Sequence, residues 1–176
     1  AQEARKFGIS VNQGLAILDG DEDDLPWEKD PANPNNLLQA KDNMTLEGFR
    51  GRYAFLSNFH PAAVTHQGLT FQNAEAAYQA AKFNDQAFRA RFTNLGPAAA
   101  RSLGRAHHPS FRTDWSDARL GIMEEVLRSK FSDPDLRSKL VATGSTQLVE
   151  FNSWRDQFFG VYNGRGQNHL GRLLMK

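Results

Sequence analysis

AVTHQGLTFQNAEAAYQAAKF, residues 63–83, holds the change of period that sets the fold. Residues 63–71 are β-prone on both sides of Gln67-Gly68, the pattern of two short strands joined by a tight turn. Asn73 then stands where a helix cap belongs, and the alanine-rich run from Ala74 to Phe83 predicts a helix. Upstream, FRGRYAFLSNF (49–59) reads as a strand running into a loop. Downstream, helices are predicted over 85–92, from Pro97 to a stop at Gly104, and over 113–131 with Thr113 or Asp114 as cap. Asp133-Pro134 opens another helix that Gly144 closes, QLVEF (147–151) is a short strand, and Asn168 caps a last helix. Helices interleaved with a few short strands, without regular βαβ alternation, predict a compact, mostly helical α+β domain.

The chain has 176 residues, 40% of them hydrophobic, which suits one domain with a real core. There is no cysteine, so a disulfide framework, a thiolate zinc site and a cysteine nucleophile are excluded. No stretch approaches the roughly 20 apolar residues of a membrane helix, and AQEARKFGIS (1–10) lacks the apolar run of a secretory signal. A cytoplasmic location is the expectation. Residues 1–46 carry 4 Lys/Arg against 9 Asp/Glu, net −5, with an acidic run at 19–24 and a linker-like PANPNN at 31–36. They read as a partly disordered N-terminal extension to a domain spanning 47–176. That domain holds 17 Lys/Arg against 11 Asp/Glu, net +6, and 13 of the 17 cations are arginine. Arginine pairs with phosphate in two-pronged fashion, so the asymmetry points to a phosphorylated or nucleic-acid ligand, although a basic surface alone has the same signature.

On a helix, Glu75, Tyr78, Gln79 and Lys82 share one face. Carboxylate, phenol, amide and amine on one stripe can line a polar cleft, and the same pattern also fits a solvated face. Glu75 falls in the first turn, where the helix dipole stabilises negative charge. Such a carboxylate can steady an oxocarbenium-like centre or carry a proton. Glu150, on the same side of its strand as Leu148, and Asp156 are both candidates for a second acid/base group, and spacing does not choose between them. GVYNGRGQNHLG (160–171) is a glycine-rich loop ahead of a helix, a possible phosphate cradle with no P-loop signature. His107 and His108 are adjacent and diverge, so they make poor metal ligands; no metal and no cofactor are expected.

Taken in order, these segments resemble the NADAR (YbiA-like) family. FLSNFHP (55–61), TFQNAEAAYQAAKF (70–83), LGR (103–105), RTDW (112–115), the helix from Met123 to Phe131, LRSKLVATGSTQLVE (136–150), and Asp156 to Phe159-Gly160 leading to GQNHLGRLLM (166–175) follow the family's sequence of elements. Two departures stand out. Phe159 occupies a place where the family often has Trp, and Ala76 replaces a usual His or related side chain, which is expected to widen the cleft.

The resemblance implies hydrolysis of a C–N glycosidic bond, with Glu75, Lys82, Glu150 and Asp156 as catalytic groups. It implies substrate contacts from Arg52, Asn58, Tyr78, Gly104, Arg105, Trp115, Phe159, Gly160 and Asn168. Two substrate kinds follow from it. One is ADP-ribose attached to the guanine amino group of nucleic acid, with a DNA-modifying ADP-ribosyltransferase toxin as the paired partner. The other is a ribosylaminopyrimidine phosphate of riboflavin biosynthesis. The rival readings are a binding module for ADP-ribose or nucleic acid without turnover, and an interaction domain working through its acidic tail.

Overall fold

The computed structural model describes residues 45–176, so the acidic run and PANPNN lie outside the described residues. The described residues divide into two compact units: Asn58–Ala142 is one, and residues 45–57 join Thr143–Lys176 in the other. The elements are helices and short strands, an α+β arrangement with two two-stranded sheets among the described residues.

The Asn58–Ala142 unit is built on the hairpin read from sequence. Strand β2 (Pro61–His66) pairs antiparallel with β3 (Leu69–Asn73). Gln67 and Gly68 both take positive φ, 48° and 80°, the left-handed pair that matches the twist of a two-residue hairpin. Helix α1 (Ala74–Ala80) follows without a linker, because Asn73 ends the strand and caps the helix through Oδ1, 2.7 Å from the Ala76 amide. Helices α2 (Gln86–Ala90), α3 (Pro97–Leu103), α4 (Trp115–Lys130) and α5 (Pro134–Ala142) complete it. Both α3 and α4 pack on α1, and α4 also packs on β2. The alanines at 74, 76, 77 and 80 are fully buried, and their small volume is what lets two helices close on α1. Ala76 is therefore core, and the expectation that it widens a cleft does not hold. Asp114 precedes α4 without capping it, since Arg112 takes both of its carboxylate oxygens at 2.9 Å.

In the other unit, β1 (Thr45–Glu47) runs parallel to β4 (Gln147–Val149), with Leu46 opposite Leu148. The domain boundary expected at residue 46 falls inside β1. The segment read as a strand over 49–59 is instead a 3-10 helix, Gly51–Leu56. Gly48 and Gly51 take φ of 83° and 53° and turn the chain out of extension, and the consecutive buried residues Phe55 and Leu56 break the alternation a strand needs. Helix α6 (His169–Leu174) packs on β4. Among the described residues, no helix is long and apolar enough to cross a membrane.

Candidate active site

The polar stripe of α1 is not solvated. Glu75 is 5% exposed, and Tyr78 and Gln79 are buried with it. Burying a carboxylate is costly unless partners replace water, and two do. Gln79 Nε2 donates to Glu75 Oε1 at 2.9 Å, one helical turn along. Arg101 Nε of α3 donates to the same oxygen at 3.3 Å, an ion pair. The Glu75 amide donates to the Asn58 carbonyl at 3.0 Å, which fixes the start of the helix against the preceding loop. Both carboxylate hydrogen bonds fall on Oε1, so Oε2 is the oxygen left to face water or substrate.

Lys82 lies one turn beyond Glu75's hydrogen-bonded neighbour, but not on a continuous α-helix. The helix expected to reach Phe83 ends at Ala80, and the amides of Lys82 and Phe83 bond back three residues, to Gln79 and Ala80. This tighter last turn alters the α-helical spacing assumed between residues 75 and 82. The strand-like segment that follows is tied to the loop before α4. Arg112 N donates to Lys82 O and Asn84 N to Ser110 O, both at 2.8 Å. Those bonds bring Trp115 beside the helix. Its ring lies 5.0 Å from that of Tyr78 and 5.8 Å from the Lys82 ammonium. Burial pushes the Lys82 amine below its ordinary value; Glu75 opposes the shift, and Arg105 and Arg101 add to it.

Of the residues expected at the site, Glu75, Tyr78, Lys82, Trp115 and Arg105 are thus gathered around α1. Asn58 joins them through its backbone, while its Nδ2 reaches Met123 Sδ at 3.6 Å. Gly104 ends α3 and touches Gln79. Arg101 was not anticipated. It carries the ion pair to Glu75 and lies 4.8 Å over the Phe59 ring. Arg52 sits in the 3-10 helix of the other unit, over the Tyr53 ring at 4.9 Å.

Glu150, Asp156, Phe159, Gly160 and Asn168 belong together in that other unit. Glu150 is buried just after β4, on the side of buried Leu148, as alternation requires. Asp156 Oδ1 accepts from the amides of Phe158 and Phe159 at 2.9 and 3.0 Å, a loop-capping arrangement. Asn152, fully buried and unnoticed in the sequence, braces the same loop through the Asp156 amide and carbonyl. Asn168 does not cap α6. Its Oδ1 accepts from Glu150 N and its Nδ2 donates to Leu148 O, each at 2.9 Å, so its side chain clamps the end of β4. Its backbone is left-handed at φ 51°, a conformation asparagine tolerates. Much of the backbone of the glycine-rich loop is engaged within the unit. The amides of Val161, Tyr162, Arg165 and residues 167 to 170 already donate to carbonyls. Gly160 is needed for close packing, because a Cβ there would stand 2.4 Å from Glu150 O. Among the described residues, no group of three or more His, Cys, Asp or Glu could hold a metal ion.

An α+β fold thus brings a buried carboxylate, a pressed-down amine and an aromatic pair from two helices together around α1. The NADAR domain family matches residues 47–176, and the chain belongs to it. It is 37% identical to an N-glycosidase of Nostoc punctiforme, over 70% of this chain and 82% of that one. It is 33% identical to the N-glycosidase YbiA of Escherichia coli, over 70% and 79%. A riboflavin biosynthesis protein of Vibrio vulnificus is 38% identical over 70% of this chain, which spans about a third (34%) of that protein's length. The NMR structure of E. coli YbiA superposes with a TM-score of 0.67 at 30% identity, covering 77% of this chain and 83% of that one.

Proposed function

We propose that this NADAR-family protein is an N-glycosidase that removes ADP-ribose from the amino group of modified guanine in nucleic acid. The observation that carries the glycosidase reading is the burial of Glu75 with one oxygen tied and one left over, beside an amine whose proton is loosened. Two routes use these groups. In the direct route the C1′–N bond breaks as Glu75 gives its proton to the leaving amine, and water attacks C1′ as Glu75 takes a proton back from it. In the ring-opened route the bond from C1′ to the ring oxygen breaks first, giving an imine. The Lys82 amine then adds to C1′ and expels the base amine, and water hydrolyses the lysine imine to release the sugar. A lowered Lys82 pKa serves the second route, because only the neutral amine adds.

Arg105 beside the amine supports a substrate with phosphates, and the Tyr78–Trp115 pair supports a flat ring nearby. On this reading an ADP-ribosyltransferase that modifies DNA is the opposing activity. Fold likeness alone would not select this chemistry. A second reading has its own support. Relatives in Vibrio vulnificus and Arabidopsis thaliana are named riboflavin biosynthesis proteins, which favours a ribosylaminopyrimidine phosphate.

Purified full chain given guanine-ADP-ribosylated oligonucleotide and, separately, the ribosylaminopyrimidine phosphate should release free sugar from the first. Release only from the second selects the alternative, and release from neither removes the enzyme reading. Borohydride added during turnover should trap the sugar on wild type and not on Lys82→Arg. Absence of an adduct with undiminished K82R turnover selects the direct route.

A further inference from the structure

We infer that Gln79, seated against Gly104, is the positioning residue that fixes the Glu75 carboxylate. This rests on Glu75 being the proton-carrying group proposed above.

Gln79 is buried at 6% exposure and its amide has two ends in different situations. Nε2 donates to Glu75 Oε1 at 2.9 Å. Oε1 is buried and has no hydrogen-bond partner among the described residues. Packing alone gives no reason for a glutamine here, since an apolar side chain of the same length fills the space without the cost of an unmatched oxygen. Reversing the amide would set its oxygen against the carboxylate oxygen, two acceptors face to face. The orientation is thus decided by Glu75, and the orphaned oxygen is its consequence.

Gly104 explains how that oxygen is housed. Its backbone is ordinary right-handed helix, φ −64° and ψ −10°, which any residue adopts, so its conformation does not require glycine. Space does. A Cβ at 104 would stand 2.0 Å from Gln79 Oε1 and 2.8 Å from Cδ, with the next atom, Ala100 O, at 3.2 Å. A methyl group there cannot coexist with the amide as it lies. The amide would have to shift, and its Nε2 is the group bonded to the carboxylate, so the 2.9 Å bond is what that shift puts at stake. Gly104, expected to contact substrate, is on this reading a seat for Gln79. Arg101 holds the same Oε1 from the other helix at 3.3 Å. With one oxygen gripped from two directions, Oε2 has a defined position, as proton transfer demands.

The test uses Q79M, Q79A, G104A, the Q79A/G104A double variant and Glu75→Gln. Melting temperature, kcat and KM are measured on the ADP-ribosylated oligonucleotide and on the ribosylaminopyrimidine phosphate in parallel. Q79M keeps the volume and removes both the donor and the orphan oxygen. Because it takes one of two partners from a buried carboxylate it should lower the melting temperature, and, measured where the variant is folded, leave KM within about twofold and lower kcat by about tenfold or more. G104A should lower kcat in the wild type and add nothing in the Q79A background, where the clashing atoms are gone. Wild-type kcat in Q79M overturns the inference. So does a G104A loss that is equally large in Q79A, and that comparison decides the matter if Q79M fails to fold. Normal turnover in Glu75→Gln instead overturns the reading of the site itself, whereas a dead Glu75→Gln beside a normal Q79M removes only the positioning role.

Discussion

Glu75 and Asp156 each receive two hydrogen bonds on a single oxygen, yet the two carboxylates are assembled in opposite ways. Asp156 is served by the amides of the second and third residues after it. Any aspartate at the head of a loop can do this, and the result is a turn. Glu75 is served by a side chain one helical turn on and by an arginine from another helix. That arrangement has to be built from distant residues inside a buried stripe. Under the proposed function, a carboxylate's neighbours, more than its burial or spacing, would separate a structural acid from a working one. The same contrast runs through the two units. Around α1, side chains hold side chains and leave Oε2 over. Around β4, Asn168, Asn152 and the glycine-rich loop direct their polar groups to the backbone.

The comparison breaks most visibly at Glu75. Glu75→Gln keeps the shape and should cost about 10²-fold or more in kcat while ADP-ribose or phosphorylated ligand still binds. Turnover close to wild type would place Glu75 beside Asp156 as a structural carboxylate. Asn168→Ala should do the reverse, sparing chemistry per folded molecule and costing stability. It removes two hydrogen bonds at the end of β4 and leaves a left-handed backbone without the residue that tolerates it, together about 2–3 kcal/mol by denaturant unfolding. A loss of kcat at unchanged stability would make Asn168 a substrate contact after all.

Lys82 should sharpen the contrast through pH. Its folded pKa lies below the ordinary 10.5, so between the two values the unfolded chain holds a proton the folded chain has lost. Stability therefore rises with pH across that window, and the burden of the buried charge is full below it. The stability gap by which Lys82→Met exceeds wild type should close as pH climbs toward 10.5. A gap independent of pH means the amine is not desolvated. The smallest effect is expected at Asp156. Asp156→Asn keeps the Oδ1 acceptor and should leave turnover within about twofold, with Asp156→Ala costing about 1 kcal/mol as for a lost cap. A hundredfold drop in Asp156→Asn would return it to the catalytic group.

The hairpin, the Asn73 cap and the helix after it were legible because each depends on neighbours in sequence: a turn pair, a cap, a run of alanines. So was Glu75 as a candidate, from helical spacing. The 3-10 helix at Gly51–Leu56 was not, because alternating aromatics look like a strand until Gly48 and Gly51 bend the backbone. Asn168 was placed correctly at the start of α6 but given the wrong work, since its partners, Leu148 and Glu150, lie about twenty residues earlier. Arg101 escaped for the same reason, its partner Glu75 being 26 positions away. Sequence spacing reports what a residue can do for its own element, and both of these act on another.

The parallel pairing of Leu46 with Leu148 sets an order of events during synthesis. The unit from Asn58 to Ala142 is continuous in sequence, so every contact within it is available once that stretch has left the ribosome. The other unit must keep β1 unpaired while roughly a hundred further residues are made, and close a long loop before that strand gains a partner. Until then Leu46 has no strand to lie against, and its exposed edge is the part of the nascent chain most open to wrong pairing or capture by a chaperone.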